Sequence, residues 1–396
     1  QNGLTTDAGA GIYKTSGTTT INDCTIKDNT VQTTTAGFGG GIYNQEGQLN
    51  IQNSLLTNNQ VVTETDGGWG GALYNLGTVN IINTQFNDNN VTSALYSAGG
   101  AIYNVNQLDI TDSVFNQNSA QAADQGGNGG AIYNHNNGVI TLTRTDFSDN
   151  LAQSSGDNAL GGAIYSFPGG TVNIDDCCFE CNQALAVEDG GMGGAIFNQE
   201  GTFTITSSAF TENIAYCDLE GGIGGAIFNL AGILTITDAI FTANLAQANE
   251  MGGVAGAIAN IGGNVTLTDI TFSENTAQGE TIAGAAGAIL NLGMSLTYTE
   301  IISGGIEAIT GVTPVETHMD LVNCDFDSNQ ALATTTGGLA GAIANIYSNL
   351  SLTGGTFTGN LAQVTEDIGG VAGALANILG NVTISGTAFY GNTAEA

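Results

Sequence analysis

Basic residues are almost missing from this chain. Lys14, Lys27 and Arg144 are its only three, against 36 acids in 396 residues, for a net charge of −33. A surface of that sign repels phosphate backbones and anionic lipid headgroups, so nucleic acid and membrane faces are excluded as partners and cationic ones are left. Proline is as scarce, at two residues, and charged residues make up only 10%. No uninterrupted apolar run approaches the roughly 18 residues that a membrane helix needs, and no membrane insertion is expected. Disorder is excluded as well, because a hydrophobic share of 41% is too high for an acidic chain that stays solvated. The sequence opens at Gln1 with no initiator Met and no visible signal peptide, which fits a processed mature chain and equally a piece of a longer one. What is abundant is glycine, 60 residues, about twice the usual share.

That glycine is periodic. Gly-Gly-Ala-Ile-Tyr-Asn, as at Gly129 to Asn134, recurs with its Ile or Leu at 12, 42, 73, 102, 132, 164, 196, 227, 258, 289, 343 and 375. A second anchor, Phe-x-x-Asn, starts at 26, 56, 86, 115, 147, 179, 210, 241, 272, 326, 357 and 389. Twelve units of about 31 residues and one insertion of about 23 fill the chain, so residues 1–396 are expected to form one array. Between the anchors apolar and polar residues alternate, as in Val172-Asn173-Ile174, the period of a half-buried strand. The third residue before Phe is mostly Asp, Asn or Ser, which turn the chain. Each copy therefore reads as strand, bend, strand, corner and variable Gly-rich loop. A unit this small cannot bury its apolar face alone, and stacking copies solves the problem. The expected fold is all-β, a single-stranded parallel β-helix or solenoid of about 12 coils, a rod roughly 55 to 60 Å long.

The Asn of Phe-x-x-Asn is present in every copy: Asn29, Asn59, Asn89, Asn118, Asn150, Asn182, Asn213, Asn244, Asn275, Asn329, Asn360 and Asn392. A carboxamide both donates and accepts, so this column reads as a structural ladder rather than a ligand set. The Asn after Ile-Tyr recurs in all copies but those with Lys14 and Ser166 and reads as a second ladder. Glycine two before the Ile, replaced only by Ala10, implies positive φ or close backbone contact between rungs.

The pairing of Gly-Gly-Ala-Ile with Phe-x-x-Asn at constant register resembles the repeat of the polymorphic outer-membrane proteins of chlamydiae, and the resemblance covers all twelve copies. It implies a β-helical, right-handed passenger and a secreted, surface-exposed adhesin.

Three further columns invite functional readings. The residue after the anchor Ile is Tyr13, Tyr43, Tyr74, Tyr103, Tyr133, Tyr165, Phe197 and Phe228, then Ala259, Leu290, Ala344 and Ala376. In the last four copies the Gly three before the Ile becomes Ala. One methyl cannot fill a lost ring, which argues that the stripe faces outward, to stack on sugars or a neighbouring filament, or on itself along the rod. Acids recur before the anchor at Glu64, Asp66, Asp124, Asp157, Glu188, Asp189, Asp218, Glu220, Glu250, Glu280, Glu366 and Asp367. Stacked about 5 Å apart they repel, and Glu188, Asp189, Asp218 and Glu220 form the densest candidate for calcium, the one cofactor considered; the alternative is a solvated acidic face. Of six cysteines, Cys24, Cys177 and Cys324 share a column of small residues and read as core, leaving Cys178, Cys181 and Cys217, with a disulfide from Cys178 to Cys217 as the candidate bridge.

No catalytic residues are assigned. Lyases of acidic sugars need bases that this chain lacks, and no carboxylate stands beside a His or Arg; His135 reads as a lone exposed residue. The insertion, at about 297–319 in the tenth repeat, reads as a flap carrying Glu300, Glu307 and His318, with Leu296-Thr297-Tyr298 and Met319-Asp320-Leu321 competing for the same strand columns. The two chain ends are nearly in register with each other. The expected function is therefore an extracellular structural protein whose copies stack head to tail as a homopolymer; the alternative is a monomeric adhesin gripping glycan or a cell-surface receptor, and the third reading a carbohydrate-active enzyme.

Overall fold

The computed structural model describes residues 4–5, 8–279, 282–294, 314–366 and 370–396. Each repeat adds strands to three long sheets, and every pairing within them is parallel and residue for residue. The anchor sheet has twelve strands, from Ile12–Lys14 to Leu375–Ile378, with Ile42 opposite Ile12 and Leu73 and Tyr43 opposite Tyr13 and Tyr74. The next segment of each coil supplies strand pairs such as Thr202–Thr206 and Ala209–Thr211 to a Phe sheet. A return sheet then runs over thirteen strands, from Leu4–Thr5 to Thr393–Glu395. The molecule is an all-β parallel solenoid; twelve anchor strands enclose about 11 turns of about 31 residues.

The corners follow from residue type. Asp23, Asn53, Asn83 and their equivalents three before the Phe position have φ near +50°, as do Asp28, Asn58 and Asp88 two after it. Asn and Asp tolerate this left-handed region better than other side chains, which is why they crowd the first column; the second is mixed, with Gln117, Cys181, Glu212 and Ala243 in the same conformation. The glycine two before the anchor answers the other requirement, close approach. A Cβ on Gly100 would come within 2.5 Å of Ser119 N and overlap Gly130 O of the next coil.

The main core lies between the anchor, Phe and return sheets. Its spine is a stack of phenylalanines from Phe86 to Phe389, ring centroids 4.5 to 5.0 Å apart. Each fully buried ring contributes roughly 2 to 3 kcal/mol of hydrophobic stabilisation.

The insertion leaves this core intact. His318–Val322 takes the Phe-sheet column, with Met319 opposite Val265 and Leu350, while an antiparallel bridge from Met294 to Pro314 closes the neck. The strand competition thus resolves in favour of Met319-Asp320-Leu321, and the expected flap at about 297–319 falls outside the described residues as far as 313. Leu296-Thr297-Tyr298, Glu300 and Glu307 lie outside the described residues.

One polar column runs the length of the core. Asn29 Nδ2 donates to Asn59 Oδ1 at 2.8 Å, and the same bond repeats from coil to coil as far as Asn360 to Asn392, also 2.8 Å, crossing the insertion from Asn275 to Asn329 at 2.9 Å. Each Oδ1 also accepts the backbone N–H of the preceding Asn, and each Nδ2 from Asn59 onward also reaches the carbonyl of the Phe position in the coil before, as Asn213 does to Phe179 at 2.9 Å. The amides are therefore satisfied inside an apolar core, where an unmet donor or acceptor costs about 1 to 3 kcal/mol. Replacing Asn213 by Ala removes the acceptor of Asn182 N, one of the two acceptors of Asn182 Nδ2 and the side-chain donor to the Phe179 carbonyl together. We expect a loss of roughly 3 kcal/mol or more, seen in calorimetry as a lower midpoint and in hydrogen exchange as fraying that starts at coils six to eight.

Candidate functional site

The second asparagine column also forms a ladder: Asn44 donates to Asn75 at 2.7 Å, and the bonds continue through Asn104, and from Asn198 to Asn377. Its two exceptions behave differently. Ser166 accepts from Asn134 at 3.3 Å and keeps the column polar. Lys14 is buried, its ammonium donates to the Glu46 carbonyl, and Asn44 Oδ1 is left buried without a hydrogen-bond partner. Burial lowers the Lys14 pKa against the opposing field of Glu46. A third ladder escaped the sequence reading. In the column two before Phe, Ser54, Thr84, Ser113 and Ser208 donate their hydroxyls two residues back and accept a backbone N–H from the preceding coil. Cys177 does the same through sulfur, so the alternation of Ser, Thr and Cys was its signal.

The aromatic stripe does not face outward. Its centroids stack 4.8 to 5.2 Å apart from Tyr13 to Phe228, as the self-stacking alternative held, but only Tyr13 is widely exposed, at 53%. Tyr43 and Tyr74 are half-buried, while Tyr103, Tyr133, Tyr165, Phe197 and Phe228 are buried. The cover is the Gly-rich loop itself, which forms ladders of short strands, six from Gly37–Phe38 to Gly191–Met192 and four from Glu220–Gly221 to Thr336–Gly337. Ala98, Leu160, Met192, Ile223 and Val254 pack from these loops onto the rings in a second core. Burial pushes the Tyr74 hydroxyl up to about 12 and raises those of Tyr103 and Tyr133 as well.

The volume lost with the rings in the last four copies is recovered two residues further on. Ile261, Leu292 and Ile346 stand there, buried in the same second core, and Ile378 packs against it half-buried. The corner shifts with them: the left-handed glycine lies three before the anchor from Gly9 to Gly224 but five before it at Gly253, Gly284, Gly338 and Gly370, and the eighth copy has both Gly222 and Gly224. His135 is half-buried between Tyr103, Tyr133 and Phe167, with centroids 5.6 to 6.1 Å away, rather than exposed; burial lowers its pKa.

The acids line one loop edge. Asp189 lies opposite Glu220 where the two loop ladders meet, and Asp218 accepts from Tyr216 and from Asn249, the latter at 3.3 Å. Partial burial, then Asp157, Glu220 and Glu188, raise the Asp189 carboxyl to about 6. Among the described residues, no three His, Cys, Asp or Glu side chains converge as metal ligands; Glu280 and Asp367 lie outside those residues. The cysteines are all free thiols, so the expected bridge is corrected. Cys178 projects from the outer face of the Phe sheet, beside Asp146 and Ala209, whereas Cys217 is buried under the return sheet with its thiol on the Glu188 carbonyl at 3.2 Å. Cys177 and Cys324 are buried as expected and their thiols are pushed up to about 12 by burial, but Cys24 is exposed.

Two stacked cores, polar ladders along them and an acidic loop edge define a parallel β-solenoid. Residues 112–135 match the Chlamydia polymorphic membrane protein (Chlamydia_PMP) repeat, a family of surface-associated outer-membrane proteins. The chain carries a repeat of that type. No curated protein and no solved structure matches it.

Because the folded-state pKa of Asp189 is raised, its stabilising contribution is complete below about 4 and is lost as pH rises through about 6. Asp189→Asn is expected to raise the melting temperature relative to the parent at pH 8, with the gain shrinking below pH 6 and vanishing near pH 4. A gain that is the same at all three pH values would rule out carboxylate crowding as its source.

Proposed function

We propose that this chain is an extracellular structural protein, a surface rod whose copies stack head to tail into filaments or matrix fibres. The reading is supported by the residue-for-residue parallel pairing of adjacent coils, a pairing that a second copy can extend. The asparagine ladder has one polarity, Nδ2 toward the later coil, so it favours head-to-tail addition, with Asn392 of one copy toward Asn29 of the next. The second ladder opposes that join, because Asn377 of one copy would meet the Lys14 ammonium of the next, donor against donor.

The repeat family and the solenoid fold favour a structural or adhesive surface protein over an enzyme. The bases are committed elsewhere: Lys14 is buried, Lys27 pairs with Asp28, and Arg144 grips Asp112 at 2.6 Å. A monomeric adhesin is the second reading, favoured by half-exposed rings in coils two to four.

Negative-stain microscopy of the purified chain, in calcium and in chelator, separates these. Rods of roughly 55 Å that lengthen only end to end are expected. Lengthening lost in chelator would make the acidic loop edge a counterion-dependent brake on assembly, and Lys14→Asn, which restores an acceptor, is expected to give longer stacks. Uniform short rods in every condition and in Lys14→Asn would eliminate self-assembly.

A further inference from the structure

The second core is sealed along most of its length, and coils two to four are where it opens. There the loop strands end in Phe38 and Trp69, both half-buried, instead of the buried Leu160 and Met192 of later coils. Their rings stack at 5.0 Å and 18°. Trp69 lies over Gly67, where a Cβ would come within 2.5 Å of the indole, and Tyr96, on the next coil and 47% exposed, lies over Gly126 in the same way, at 3.0 Å. Glycine thus seats both rings on the backbone, and Tyr96 is held by its hydroxyl on Gln125. Phe38 and Trp69 thus stack on successive rungs, and Tyr96 stands on the next rung two residues earlier in the loop, since Ala98 is the residue opposite Trp69.

The charge around this row selects its occupant. Glu64, Asp66 and Asp124 are exposed in the flanking loops, and no base is available nearby, since Lys27 and Arg144 sit at Phe-sheet corners paired with acids. An anionic glycan or phosphate is repelled. A neutral sugar presents an apolar ring face to stack on and hydroxyls for the carboxylates to accept from. The rings lie in a row on a surface rather than enclosing a point, which is not the cage that a cationic group requires.

We infer that Phe38, Trp69 and Tyr96 form a binding platform for an uncharged oligosaccharide chain lying along the solenoid, about one sugar per rung. This deepens the adhesive side of the function proposed above and rests on the surface location that reading assumes.

Trp69 is the sole tryptophan, so its emission reports on this patch alone. Titration of the whole chain with chitotetraose and cellotetraose is expected to give a saturable emission change with at least one of them, none with a heparin tetrasaccharide, and at least tenfold weaker binding in Tyr96→Ala. Tyr96 is exposed, and an unchanged melting temperature would show that the variant folds. The inference is overturned by absence of both emission change and calorimetric heat with the neutral sugars, by equal binding in Tyr96→Ala, or by a preference for the heparin fragment or a lysine-rich peptide. Such a failure would leave end-to-end stacking untouched, since micrographs read that independently.

Discussion

In a stack of parallel coils each side chain faces its own counterpart about 4.8 Å away, and every other feature of this molecule answers to that constraint. Residues that satisfy themselves can fill a buried column. Asparagine donates to and accepts from its copy, phenylalanine stacks on its copy, and Ser, Thr or Cys passes a hydrogen bond along. Carboxylates cannot, and they are kept to exposed faces and loop edges, where water screens them. Lys14 shows the cost of an exception, since it leaves Asn44 Oδ1 without a partner in a core where the equivalent atoms of later coils are bonded.

Much of this was legible from residue order. The Phe-x-x-Asn column, the inward Ile and the Asp and Asn corners recur at one period, and identical side chains at one period must stack. The ring column was harder. Alternation shows that Tyr13 to Phe228 point away from Ile12 to Ile227, but it separates core from solvent only when nothing covers the second face. Here the loops do, and their short strands, poor in β-branched residues and rich in glycine, carry no strand signal of their own. The volume argument failed for a related reason. The compensating residues Ile261, Leu292, Ile346 and Ile378 lie two positions from the missing rings, not in the Gly-to-Ala column that changes with them. Cys178 and Cys217 lie in neighbouring repeats but at different phases and on different sheets, so nearness along the chain does not bring them together.

The loops therefore hold two roles together. Their inner side closes the second core, and their outer edge carries the acids, so crowding at Asp189 and packing at Met192 are properties of one short segment. Cover is complete where Leu160, Met192 and Ile223 stand and incomplete where Phe38 and Trp69 do. Binding surface and sealed core are thus two settings of the same loop strand.

The migrating glycine at the eighth and ninth coils bears on how such a gene can change. Unequal crossing-over between equivalent points of two repeats deletes or adds whole coils, and within the first seven coils or within the last four the new neighbours still share the position of the glycine corner. A crossover that joins an early coil directly to a late one brings a glycine turn at one position against a turn two residues away. Only the eighth coil, with Gly222 and Gly224 both in the left-handed region, has the geometry of each class. It acts as an adaptor, so array length is free to drift on either side while the joint itself is held fixed.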